Sequence, residues 1–245
     1  MPAPLPNRFH NRLLSALPAR DLDTLRRQLV PVALPRRRQI ELPNRPIEDV
    51  VFLESGITSI VSNPPHSPDV EVGIIGFEGM TGLAVVLGTD QSPYSAYMQV
   101  PGGGHSVAVG AVRELMDRSA ECRQIFLNFA QTFLLQASQT AVANARATIG
   151  ERLARWLLMA QDRVQGDEIP LTHEFLSLMI GIRRAGVTEA MSAFAREGLI
   201  KGSRGVTAIA SRAGLMERAG RFYGLPEREY RRLFPAAEAV HEFGG

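Results

Sequence analysis

LTHEFLSLMIGIRRAGVTEAMSAFAREGLIK, residues 171–201, decides how the rest of this chain is read. Thr172 is placed to cap a helix whose apolar members Phe175, Leu176 and Met179 recur at three- and four-residue spacing, and Gly181 supplies a break. A second helix is expected from about Arg183 to Arg196. It puts Val187, Met191 and Phe194 on one face and Arg184, Ala185, Thr188, Glu189 and Ser192 on the other. Two short helices, a glycine turn and a one-sided second helix make a helix-turn-helix.

Arg183 and Arg184 stand at the amino end of that second helix, where the dipole is already positive and a Ser or Asp cap would stabilise the fold better. A polyanion resolves the conflict, because phosphates neutralise both the arginines and the dipole. After Gly198 the run LIKGSRGVTAIAS reads as a β-hairpin folded about residues 202–205, with Lys201 and Arg204 near its tip.

From Leu171 to Ile200, through Gly181, Arg184, Val187 and the closing Gly198-Leu199-Ile200, the sequence resembles the winged helix-turn-helix of the Crp/Fnr family of bacterial transcription regulators. The likeness extends upstream through RLARWLLM, residues 152–159, and more loosely over almost the whole chain. It implies an α+β fold: an amino-terminal double-stranded β-roll of the cyclic-nucleotide-binding type, a long dimerisation helix and a carboxyl-terminal winged helix-turn-helix. It implies a homodimer on an inverted-repeat operator in double-stranded DNA, with RNA polymerase as a further partner. Well-studied relatives carry a glutamate and a downstream arginine on the reading face. Here the matching positions are Ala185 and Glu189, so different half-sites are expected.

Arg184, Ala185, Thr188 and Glu189 are the residues expected at base edges, with Ser192 nearer the backbone. Thr172, His173, Arg183, Lys201 and Arg204 are the candidates for phosphate contacts. Gly186 inside the helix costs roughly 1 kcal/mol against alanine. A different reading makes the chain a ligand sensor acting mainly through protein contacts. An enzyme is not expected, because no nucleophile–base pair, metal triad or paired carboxylate cluster stands out.

With 245 residues, 45% hydrophobic and 21% charged, the chain suits two domains that each bury a core. The formal net charge is only +2, but its placement is informative. Residues 171–218 carry seven Arg/Lys against four Asp/Glu, whereas residues 1–118 carry eleven against twelve. The carboxyl-terminal part is the one suited to nucleic acid. Cys122 is the only cysteine, which excludes an internal disulfide and a cysteine-based metal site within one subunit and fits a reducing cytoplasm. The start of the chain lacks a signal-peptide core. The uncharged run 124–145 holds too many Gln, Asn, Ser and Thr to cross a membrane.

The expected divisions are an effector-type roll over 1–118, a dimer helix over 119–147, the DNA-binding domain over 148–223 and a tail over 224–245. Two short helices lie within 8–30. From Val32 short β runs follow, broken at Gly56, Pro64-Pro65, Gly76 and Gly102-Gly103-Gly104. Arg36-Arg37-Arg38 reads as a solvated turn, and His66 and His105 as surface histidines on turns.

GFEGMTGL, residues 76–83, raises the question of an effector, since glycines let backbone N–H groups approach a phosphate. The candidate pocket is Gly76, Gly79, Met80, Thr81, Gly82, Tyr94 and Ser95. In relatives that bind cyclic AMP, an acid for the ribose and an arginine for the phosphate belong at the positions of Met80 and Tyr94. Without a cation a buried phosphate is poorly compensated, so cyclic AMP is not expected. The effector is left open, and no cofactor or metal is expected.

Phe126, Phe129, Phe133, Gln136 and Thr140 alternate steps of three and four like a coiled-coil seam, and they are the expected dimer interface. Leu127, Leu134, Leu135 and Val142 lie off that seam, so the helix needs two apolar partners, its own roll and a second subunit. Thr148 to Glu151 spells a capping box that starts a new helix, and the junction from Asn144 to Gly150 is the candidate hinge. Trp156 reads as core, and the tail as at most one short, weakly held helix.

Overall fold

The computed structural model describes residues 8–64, 69–203 and 205–235, with only the backbone of Ser203. Two short helices, α1 (Arg12–Ala16) and α2 (Ala19–Arg26), lead into an antiparallel roll. Its strands are β1 (Val30–Leu34), β2 (Gln39–Glu41), β3 (Asp49–Ser62), β4 (Val70–Ile75) and β5 (Ser95–Ala108), with a one-turn helix α3 (Leu83–Val86) before β5. The order is β1-β5-β3-β4, and β2 also pairs with β5.

Gly102-Gly103-Gly104 does not break the sheet as the sequence reading expects; β5 runs straight through it. The reason is close approach rather than a turn. A Cβ on Gly102 would lie 2.2 Å from the Ser55 carbonyl oxygen, and one on Gly104 would lie 2.4 Å from that of Phe52. Opposite them β3 shifts register around Gly56, whose φ of +83° suits glycine. Both long strands therefore kink at one level, and side chains on either would separate them.

Helix α4 (Val109–Arg118), absent from the sequence reading, follows and is buried through Val109, Val112 and Leu115. Ser119 then caps the long helix α5 (Ala120–Arg146) by accepting from the Cys122 amide. The capping box is present: Thr148 and Glu151 exchange hydrogen bonds and open α6 (Ile149–Gln161). Strand β6 (Glu168–Ile169), helices α7 (His173–Met179) and α8 (Arg184–Arg196), strands β7 (Ile200–Ser203) and β8 (Val206–Ile209) and helix α9 (Arg212–Ala219) complete a winged unit. Its small sheet has the order β6-β8-β7.

The two domains share a core. Ile57, Ile74 and Val100 of the roll pack with Leu153, Trp156 and Leu157 of α6. Trp156 is core, as expected, and its Nε1 donates to Glu71 on β4 at 2.7 Å. Burial pushes the Glu71 carboxyl up to about 8, against the lowering effect of Ser59, Trp156 and the more distant Arg155 and Arg163.

Two further expectations need correction. His105 is buried on β5 rather than exposed on a turn, edge-on to Phe9 and 3.3 Å from Glu54. The tail is not weakly held: after a 3-10 turn, α10 (Leu225–Leu233) returns to the roll and buries Tyr230. His66 lies outside the described residues.

Candidate nucleic-acid interface

Thr172 caps α7 by accepting from the Phe175 amide at 3.2 Å, and Gly181, at φ +61°, turns the chain into α8. Val187 and Phe194 anchor α8 in the core, with Met191 beside them. Arg184, Ala185, Thr188, Glu189 and Ser192 are all exposed on the opposite face. That division follows from helical period alone, as the sequence predicts.

The amino end of α8 is unusual in its chemistry. Arg183 occupies the cap position without a side-chain cap, and the first turn holds no acid. The Arg184 and Ala185 amides occupy the first two helical positions, which have no intrahelical acceptor. Arg183 and Arg184 are both exposed beside them. Unpaired backbone donors, the positive end of the helix dipole and two exposed arginines thus occur at one helix end.

The hydroxyls on this face are less free than their positions suggest. Thr188 donates to the Arg184 carbonyl at 3.0 Å, and its oxygen lies 3.1 Å from His173 Nδ1, so it ties α7 to α8. Ser192 donates back to the Thr188 carbonyl at 2.8 Å. Arg184, Ala185 and Glu189 are exposed on the same face. Lys201 is exposed on β7 and paired through its backbone with Ala208 in the wing. Arg204 lies outside the described residues.

Residues 151–218 match the Crp-like helix-turn-helix domain. That stretch is a Crp-like helix-turn-helix. Solved structures of similar fold include a transcriptional regulator of the Crp/Fnr family from Eubacterium rectale, at 16% identity, covering 86% of this chain and 98% of that one with a TM-score of 0.66. FixK2 from Bradyrhizobium japonicum gives 14%, 78%, 98% and 0.69 for the same quantities. A CRP-family transcriptional regulator from Thermus thermophilus gives 17%, 77%, 96% and 0.65. Identities this low carry the fold. Among curated proteins no sequence match is found.

The glycine loop of the roll is turned inward. Gly76 donates to Glu78 at 3.0 Å, Gly79 to the Gly76 carbonyl, Thr81 to the Val51 carbonyl and Gly82 to Glu41 at 2.7 Å. The Phe129 ring fills the space beside Gly79, where a Cβ would lie 2.2 Å away, and Met80 is wholly buried. Tyr94 is exposed, while Ser95 is buried and bonded to Asn63. These residues do not converge around an open anion site. Burial raises the pKa of the Glu41 carboxyl, with the Gly82 amide opposing.

The expected dimer seam is also turned inward. Phe126, Phe129 and Gln136 are buried, and Gln136 both accepts from the Ile74 amide and donates to its carbonyl. Phe133 packs on Gly73, and Thr140 is half-buried with its hydroxyl on the Gln136 carbonyl. Leu127, Leu134 and Val142 are the exposed apolar residues of α5. The period is correct, and the seam packs on the chain's own roll. The aromatic set fills the chain's own roll, where its volume is needed.

Arg152 is a contributor that the sequence reading missed. Its Nη1 donates to the Ile180 carbonyl at 3.1 Å, placing a cation at the end of α7 and bracing the turn into α8. Its position in RLARWLLM offers no signal, because the contact spans 28 residues. Arg36 is a second: it remains on an exposed turn, as expected, but its guanidinium lies 5.7 Å from the Phe175 ring of α7. Among the described residues no helix is long and apolar enough to cross a membrane.

Proposed function

We propose that two copies of this chain pair along the outer face of α5 and bind an inverted repeat in duplex DNA as a cytoplasmic transcription regulator. The observation that carries this reading is the open amino end of α8, where uncapped amides and two exposed arginines meet beside a polar face. Phosphate would neutralise the dipole and Arg183, while Arg184 and Glu189 suit guanine and cytosine edges, each pairing worth about 1–3 kcal/mol of discrimination. Thr172, His173 and Lys201 flank this face as backbone contacts.

Pairing is supported by Leu127 and Leu134, one heptad apart, on a helix without charge from Gln124 to Ala145. Independence from cyclic AMP is supported by the Glu41 carboxyl on the Gly82 amide and by the exposed, uncharged Tyr94. RNA polymerase enters as a partner on family likeness.

Fluorescence polarisation on random and on genomic promoter DNA, over a range of salt, tests the reading. Tight binding to a subset of promoters is expected, and an equally tight, steeply salt-dependent response to all sequences would overturn it. Ala185→Glu combined with Glu189→Arg is expected to change the preferred half-site more than the salt slope. Selection of one half-site by both proteins would contradict the assignment of the reading face.

A further inference from the structure

The Crp-like match ends at residue 218, yet the chain continues back to the roll. Tyr223 donates to Asp162 at the end of α6 and accepts from Arg212 of α9, at 2.7 and 2.8 Å. Helix α10 then lies along α5. Tyr230 donates to the Glu78 carbonyl at 2.8 Å, stacks on Phe234 with ring centres 4.6 Å apart, and sits with it in the roll's core. Arg12 of α1 stands 5.9 Å from the Tyr230 ring centre. Beneath them Arg163, just after α6, donates to Glu78 at 2.7 Å, both side chains being almost fully buried.

The DNA-reading unit is therefore tied to the roll at both ends. It enters through the α5–α6 joint at Ala147 and leaves through α10. Rotation about the joint alone would withdraw Tyr230 and Phe234 from the core and part Arg163 from Glu78. Because the reading face of α8 is exposed, α10 does not work by covering it. It constrains direction.

We propose that α10 is a strap that fixes the bearing of the DNA-reading unit on the roll, and with it the separation of the two α8 helices in a dimer. Without α10 the unit would keep the α6 contacts with Ile57, Ile74, Val100 and Glu71 but lose its second attachment to the roll.

Trp156 provides the direct test, since it is the sole tryptophan and lies at the contact between α6 and β4. Full-length protein would be compared with a chain ending at Tyr223 and with Tyr230→Phe, by acrylamide quenching and circular dichroism. Truncation is expected to raise quenching several-fold with helix and sheet retained, and Tyr230→Phe to raise it less. A folded, truncated chain with unchanged quenching would overturn the proposal. If truncation unfolds the chain, Tyr230→Phe decides, and quenching equal to the full-length protein would overturn it.

A second arm rests on the DNA-binding reading above. Truncation should weaken binding to a two-half-site duplex by about tenfold or more while leaving a single half-site unchanged, because only the former depends on a preset geometry. Equal loss on both duplexes, or loss on neither, would count against the strap. If no DNA is bound by any form, that reading fails while the quenching result still stands for or against α10.

Discussion

Two glycine-marked turns in this chain look alike as candidate anion sites, the loop at 76–82 and the turn at 181–186, but their surroundings are opposite. In the loop the chain supplies acceptors of its own, Glu78 for the Gly76 amide and Glu41 for the Gly82 amide. At the turn the first amides of α8 have neither cap nor acid, and exposed arginines stand beside them. What makes an anion site is the set of donors and cations left uncompensated, and glycine merely permits the approach.

The largest expected effect comes from removing that imbalance. Arg183→Ala together with Arg184→Ala should cost on the order of a hundredfold in affinity for a selected operator, with a shallower salt slope, measured by fluorescence polarisation. Circular dichroism should show an unchanged fold. An affinity equal to the parent would make the two turns equivalent after all.

The glycines themselves should respond in opposite directions. Gly79→Ala drives a methyl into the Phe129 ring and is expected to destabilise the protein by about 1–3 kcal/mol in urea titration. Gly186→Ala meets only ordinary contacts, 3.5 Å from Ile149 and Ile182, and is expected to stabilise by up to about 1 kcal/mol. If it gains stability while losing operator affinity, Gly186 is there to admit the duplex.

Glu41 gives the intermediate case. Glu41→Ala leaves the Gly82 amide without its partner and should cost about 1–3 kcal/mol, whereas Glu41→Gln keeps an acceptor. Folding raises the pKa of this carboxyl, so the folded chain retains a proton that the unfolded chain releases, and stability falls as pH climbs above the ordinary carboxylate range. The glutamine variant should therefore lose less melting temperature between about pH 5 and about pH 8, the smallest of these effects. Equal losses in parent and variant would show that Glu41 does not titrate in this range.

What the sequence disclosed follows the range of the forces involved. Thr172, Gly181, Val187 and Phe194 act within a few residues of one another, and helix period places them. The α5 seam shows the limit of that reasoning. Spacing identifies Phe126, Phe129 and Phe133 as one face, but only the volume beneath the roll decides that they pack within their own chain. Gly102 and Gly104 read as punctuation because a close approach to Ser55 and Phe52, about 50 residues away in sequence, leaves no local trace. The hold of helix α10 escapes sequence for the same reason: Pro226 and Glu227 announce a helix start, yet nothing nearby reveals that Tyr230 reaches Glu78.

The central claim is that paired copies present their arginine-fronted α8 helices to one face of a duplex. An unbiased oligonucleotide selection, followed by sedimentation of the complex, measures it most directly. The prediction is an enriched inverted repeat with half-site centres about one helical turn apart, roughly 34 Å, occupied by two chains. No enriched sequence, or one chain per duplex, would contradict it.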